Sequence, residues 1–233
     1  MRSRNLDLGK YNTDKITHRY LEWYDPILEH FVSNPIKLLE LGIYEGGSLL
    51  LWRDYFPNGT IVGIDIQVRV DLSGEERVRV FQGSQQDTKF LSEVARETAP
   101  AGFDIIIDDA SHFGDLTKIA FWHLFDNHLK PSGLYVIEDW GTGYWSDWPD
   151  GKTYRRRAEL YSRFLTLLKK IGLVSRIPYH SHTYGMVGFI KELIDEQGVA
   201  DLTRVNFTGT AKRGSKFESM TITPSIVFIK KRP

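Results

Sequence analysis

The sequence predicts an α/β protein built on one doubly wound, mixed sheet, with parallel core strands and an antiparallel C-terminal pair. Three observations carry this expectation. Five short β-branched runs alternate with amphipathic stretches long enough for right-handed crossovers. Four of the five runs are apolar almost throughout, as parallel strands covered on both faces are. The tail holds two more strand-like runs, FESMTI (217–222) and SIVFIKK (225–231), separated by Thr223 and Pro224.

The elements follow in order. HRYLEWYDPILEHF (18–31) has the spacing of an amphipathic helix preceding the first strand, so residues 1–35 read as an N-terminal helical lid segment and residues 36–233 as the α/β domain. IKLLELG (36–42) and TIVGIDI (60–66) are the first two strands, with a helical pattern at 45–56 between them. RVRVFQG (77–83) alternates polar and apolar residues, which places it nearer the sheet edge. A helix at 87–97 leads to FDIIIDD (103–109), a helix at 115–129 leads to GLYVIED (133–139), and YRRRAELYSRFLTLLKK (154–170) reads as a helix after the fifth strand. The alternation is of the Rossmann type, whose ligands sit beyond the carboxyl ends of the strands.

Composition narrows the function classes. Of 233 residues 41% are hydrophobic and 26% charged, which excludes a disordered, collagen-like or coiled-coil chain. Thirty Lys plus Arg balance thirty Asp plus Glu, so no global field draws the chain to nucleic acid or to an anionic membrane. There is no cysteine, which removes disulfides, thiolate metal sites and a Cys nucleophile. The N-terminal residues lack the apolar stretch of a signal peptide, and no apolar run has the 18 or more residues of a membrane span. These features favour a cytoplasmic protein with a small-molecule partner, with self-association left open.

The strand ends hold the chemistry. ELGIYEGGS (40–48) places Gly42, Gly46 and Gly47 where strand turns into helix, so the backbone can approach a ligand closely. The spacing is not G-x-G-x-x-G, which argues against a dinucleotide and hence against an NAD-dependent oxidoreductase. Glu40 inside the motif argues for a ligand carrying positive charge nearby. Asp65 ends the second strand, where a ribose would present two hydroxyls to a carboxylate. GSQQD (83–87) follows the third strand and can supply amide and hydroxyl contacts to an adenine edge.

The fourth strand ends in Asp108 and Asp109, followed by His112, and the fifth ends in Glu138 and Asp139. Adjacent parallel strands finish about 5 Å apart, so these carboxylates can converge. Crowded carboxylates repel unless a cation joins them, and all-oxygen ligation suits Mg²⁺, or Mn²⁺, with its similar ligands. A neutral imidazole at His112 can accept a proton from a polarised hydroxyl.

ELGIYEGGSLLLWRDYFPNGTIVGIDI, FDIIIDDASH and LKPSGLYVIEDWGTGYW together resemble the class I S-adenosylmethionine-dependent, Mg-dependent O-methyltransferases that act on the sugars of antibiotics, typified by the macrocin and mycinamicin deoxysugar O-methyltransferases. KYNTDKITHRY (10–20) resembles the GTDK-x-x-HRY start found in that family, departing at Asn12 where the family usually has Gly. The resemblance implies a Rossmann-like methyltransferase domain. It implies metal ligands at Asp109, Glu138 and Asp139, a catalytic base at His112, and cofactor motifs at Glu40, Gly42 and Asp65. With their neighbours, these define an expected cofactor set of Glu40, Gly42, Tyr44, Gly46, Ser48, Asp65, Gln67, Ser84, Gln85 and Asp108. Catechol methyltransferases are similar in plan. Roles for Thr13, Asp14 and Lys15 stay open.

The reading is therefore transfer of a methyl group from S-adenosylmethionine to a sugar hydroxyl of a glycosylated natural product. A catechol or other vicinal dihydroxy acceptor is the alternative within enzymes, and an inactive cofactor-binding partner subunit the alternative outside them. Trp140, Tyr144, Trp145 and Trp148 crowd the segment after the second acidic pair. A loop at the strand ends is where such folds select substrate, and aromatic faces suit the C–H face of a pyranose. Trp140, Tyr144 and Trp145 are the expected acceptor contacts.

Overall fold

The computed structural model describes residues 2–177, 180–199 and 213–233. Two short helices, α1 (Asp14–Thr17) and α2 (Leu21–Leu28), precede strand β1 (Lys37–Leu41). There follow α3 (Gly47–Tyr55), β2 (Thr60–Asp65), β3 (Val78–Gln82), α4 (Thr88–Thr98), β4 (Phe103–Asp108), α5 (Gly114–Asn127) and β5 (Leu129–Glu138). A 3₁₀ turn (Trp140–Tyr144) leads into α6 (Pro149–Lys170), and α7 (Gly185–Gly198), β6 (Phe217–Ile222) and β7 (Ile226–Lys231) complete the order.

The seven strands form one sheet in the order β3-β2-β1-β4-β5-β7-β6, with β1 to β5 parallel and the last two antiparallel. The expected fold class is observed, and alternating β3 lies at an edge. Order reverses between β1 and β4, the switch point where two adjacent crossovers leave the sheet on opposite faces and open a crevice. There Leu41 pairs with Asp108, and Asp108 with Ile137, so Asp109 and Glu138 emerge side by side at the top of the sheet.

Two apolar layers cover the sheet. One joins Leu39, Leu41 and Ile106 to α4, α5 and α7, and the other joins Leu38, Ile105 and Val136 to α2 and α3. Phe121 of α5 is central to the first, its ring meeting those of Trp122, Phe125, Tyr135, Phe189 and Phe217 at 4.7 to 6.1 Å.

Three elements differ from the sequence expectation. The amphipathic run at 18–31 is not one helix: a left-handed Arg19 (φ 59°) separates α1 from α2, and the end of the run tightens into a 3₁₀ turn (Glu29–Phe31). Helix α6 begins at Pro149 rather than residue 154, because Pro149 suits the first turn and buried Asp150 accepts from the amides of Gly114 (3.0 Å) and Met186 (2.8 Å). Helix α7 has no counterpart in the sequence reading, although its buried Met186, Phe189, Ile190 and Leu193 have helical spacing.

Replacing Phe121 by Ala should lower the unfolding free energy by about 3–5 kcal/mol, the range for emptying a buried aromatic site. Urea titration followed by tryptophan fluorescence checks this; a loss under about 1 kcal/mol would show that the cluster is not the core's keystone.

Candidate functional site

A cavity of about 810 Å³ opens over the carboxyl ends of β1, β2 and β4, large enough for a nucleoside-sized ligand. Gly42 makes its floor: at φ 93° any Cβ would lie 2.1 Å from the carbonyl oxygen of Asp109, so only glycine lets the first turn pass beneath the fourth strand's end. Gly47, at the start of α3, sits equally close to the Asn12 carbonyl oxygen, where a Cβ would be 1.9 Å away. The N-terminal segment thus lies directly on the glycine turn, and Asn12, Thr13, Asp14 and Thr17 form part of the cavity wall.

The expected cofactor residues divide into two groups. Gly42, Tyr44, Ser48, Asp65, Gln67, Ser84 and Gln85 line the cavity. Glu40, Gly46 and Asp108 do not. Asp65 Oδ2 accepts from the amides of Ile43 (2.8 Å) and Tyr44 (3.2 Å), and Oδ1 from that of Gln67 (2.9 Å), so this carboxylate also shapes the loop around it. Asp108 is buried below Asp109; burial pushes its carboxyl up to about 7, against hydrogen bonds that include Tyr135 and Gln85.

Beside the cavity lies a buried charge cluster. The Lys15 side chain has no solvent exposure, and its Nζ is 2.5 Å from Asp109 Oδ2, 2.8 Å from Glu138 Oε2 and 3.3 Å from Glu40 Oε1. Burial alone would depress this ammonium, but Asp109, Glu138 and Glu40 together outweigh it and hold it well above its usual range. Glu40 also accepts from Ser48 Oγ (2.7 Å) and Trp52 Nε1 (3.2 Å). The positive charge beside Glu40 is therefore Lys15 of the chain itself rather than a ligand's. The hydroxyl of Tyr24 donates to Glu138 Oε1 and that of Tyr20 to Asp139 Oδ1.

These bonds leave Asp109 Oδ1 and Asp139 Oδ2 turned toward His112 Nε2, at 3.8 and 3.9 Å. Asp109, His112 and Asp139 each offer a ligand atom within 4.8 Å of the others, and all three are partly accessible. The two carboxylate oxygens at this spacing fit a hard divalent ion, with the His112 imidazole facing the place it would take. Glu138 lies behind this group, each oxygen already holding a donor. His112 (φ 49°), Asp139 (φ 53°) and Tyr44 (φ 48°) adopt left-handed backbone, a conformation that concentrates where function over-determines geometry.

The aromatic segment divides similarly. Trp140 is turned away from the cavity, its indole N–H donating to Thr223 O (2.9 Å) while its ring packs on the core. Tyr144 and Trp145 are 40% and 51% exposed. Trp148 stands closest to the chemistry, its ring 5.9 Å from that of His112 and 6.4 Å from that of Trp145. The sequence left the role of Lys15 open and gave none to Tyr20 or Tyr24; the signal for Lys15 and Tyr20 was the KYNTDKITHRY motif, and Tyr24 lies in the amphipathic run that follows it.

No protein-family profile matches the chain. The chain is 41% identical over 155 residues to the 8-demethyl-8-(2-methoxy-alpha-L-rhamnosyl)-tetracenomycin-C 3'-O-methyltransferase of Streptomyces olivaceus, covering 61% of this chain and 39% of that one. It is 30% identical over 222 residues to the demethylmacrocin O-methyltransferase of Streptomyces fradiae, covering 82% and 55%. Among solved structures, the MycE methyltransferase from the mycinamycin biosynthetic pathway, in complex with Mg and SAH, aligns with TM-score 0.66 and 29% identity over 91% of this chain and 49% of that one. The chain thus spans about half the length of the relatives it matches. Over the part of their length that it spans, the chain is a homologue of the sugar O-methyltransferases of glycosylated natural products.

Proposed function

We propose that the chain is a metal-dependent O-methyltransferase that moves a methyl group from S-adenosylmethionine to a hydroxyl of a glycoside. The observation that carries this reading is the juxtaposition at one switch point of the cavity over Gly42 and Asp65 with the Asp109, His112 and Asp139 group. The MycE structure, solved with Mg and SAH, supports the same pair of ligands here. When bound, S-adenosylmethionine supplies an electrophilic methyl group, and a divalent ion supplies Lewis acidity and a template for adjacent oxygens.

The chain's own residues do the rest. Gly42, Ser48, Gln67, Ser84 and Gln85 surround the cofactor, and Asp65 accepts from its ribose hydroxyls at lone pairs the loop amides leave open. Asp109 and Asp139 hold the ion, with Glu138 contributing negative charge from behind. His112 Nε2 takes the proton of the acceptor hydroxyl, helped by a placement that the left-handed turn fixes before substrate arrives. Tyr144, Trp145 and Trp148 form the acceptor wall, where exposed aromatic faces suit a pyranose.

Residues 2–35 act as a lid segment, since Asn12 to Thr17 close one side of the cavity. The same reading gives a cytoplasmic enzyme whose partner is a small glycoside rather than nucleic acid or membrane, supported by the balanced charge. Among the described residues no helix is long and apolar enough to cross a membrane.

The direct test is a mass-spectrometric screen of glycosides bearing adjacent free hydroxyls, with labelled S-adenosylmethionine and Mg²⁺. Activity should disappear with EDTA and return with Mg²⁺ or Mn²⁺; full turnover after exhaustive chelation would exclude a metal role. Asp65→Ala should weaken S-adenosylmethionine by about 1.5–3 kcal/mol, the scale of a hydrogen bond to a charged group, and calorimetry showing unchanged affinity would remove Asp65 from the cofactor site. His112→Ala should reduce kcat by about 10² to 10⁴ with cofactor affinity near normal. A variant that instead loses the cofactor would place His112 in a different subsite.

A further inference from the structure

Methyl transfer gives no task to Lys15, yet its ammonium is wholly buried and touches three carboxylates at the ends of β1, β4 and β5. We propose that Lys15 is a positioning residue, the resident counter-cation of the acid cluster, whose charge sets how tightly a divalent ion is held at Asp109 and Asp139. The inference rests on the metal reading above and deepens it.

The geometry makes Asp109 a shared ligand. Its Oδ2 is occupied by Lys15 at 2.5 Å, while its Oδ1 faces His112 and, with Asp139, the place of the ion. The ion and the ammonium therefore lie on opposite oxygens of one carboxylate and repel across it, in a region that water cannot screen well. Lys15 in turn compensates Glu138 and Glu40, which have 1% and 0% exposure and would otherwise be buried charges with only neutral donors. The four acids Glu40, Asp109, Glu138 and Asp139 outnumber the one ammonium, and without Lys15 they would no longer be fixed in place.

A residue serving only to pack the strand ends would, on removal, weaken or leave unchanged the binding of a metal. A counter-cation behaves in the opposite way: its removal tightens metal binding whenever the fold survives. Lys15→Met alone leaves uncompensated buried acids and is prone to unfold, so the informative variant is Lys15→Met combined with Glu138→Gln, which removes one charge of each sign.

The experiment is calorimetric titration of the full chain with Mn²⁺ alone, with thermal melting in parallel. Glu138→Gln, which keeps the ammonium and deletes a negative charge, should weaken Mn²⁺ about tenfold or more. Adding Lys15→Met to it should recover affinity by about fivefold or more relative to Glu138→Gln, although the double variant has lost two native groups. A folded double variant that binds Mn²⁺ no more tightly than Glu138→Gln overturns the proposal and leaves Lys15 a packing residue. Absence of Mn²⁺ binding by the unaltered chain overturns the metal reading itself, whereas normal binding there without rescue overturns only the role of Lys15.

Discussion

The contact on which the rest of the site depends is the salt-bridge cluster of Lys15 with Glu40, Asp109 and Glu138. An isolated buried ammonium is costly, as are buried carboxylates, and each becomes tolerable here only because the others are present. The cluster ties the ends of β1, β4 and β5 to a helix only four residues long, which has little stability of its own. It also fixes which carboxylate oxygens are spent. Lys15 takes one oxygen of Asp109, Tyr20 takes one of Asp139, and the remaining two point at His112.

The sheet makes this convergence possible. Reversal of strand order between β1 and β4 leaves a crevice, and the register across β1, β4 and β5 brings their last residues to one level. The backbone then departs from ordinary conformations at Tyr44, His112 and Asp139, each of which borders the crevice or the acid group. Such residues persist only where their surroundings hold them. Here the supports are visible: the amides of Ile43 and Tyr44 bind Asp65, and Thr142 Oγ1 donates to the His112 carbonyl.

The wall beyond Asp139 is held by a different device. Asp150, at the start of α6, accepts amides from the start of α5 and the start of α7, so three helix N-termini meet at one carboxylate, which suits their positive ends. The aromatic side chains after β5 are carried on this junction. Tyr154 stacks on His182 with ring centroids 4.4 Å apart, and His182 in turn bonds the Gly143 carbonyl at 2.8 Å. Trp148, one residue before α6, stands beside His112, whereas Trp140 is drawn into the core.

Much of this was legible in the chain itself. Strand periodicity is a local property, so the parallel core, the edge position of β3 and the antiparallel tail follow from residue order, as does the placement of Asp65, Asp109, Glu138 and Asp139 at strand ends. The KYNTDKITHRY motif marked the N-terminal segment without revealing its partners. Only the tertiary structure decided that Lys15 meets Glu40, Asp109 and Glu138, because these contacts span 25, 94 and 123 residues and no local pattern encodes them. The same holds for the turning of Glu138 away from His112 and for the placement of Trp148, rather than Trp140, beside His112. Side-chain direction at a strand end is set by which donors the fold brings near, and those donors arrive from distant parts of the chain.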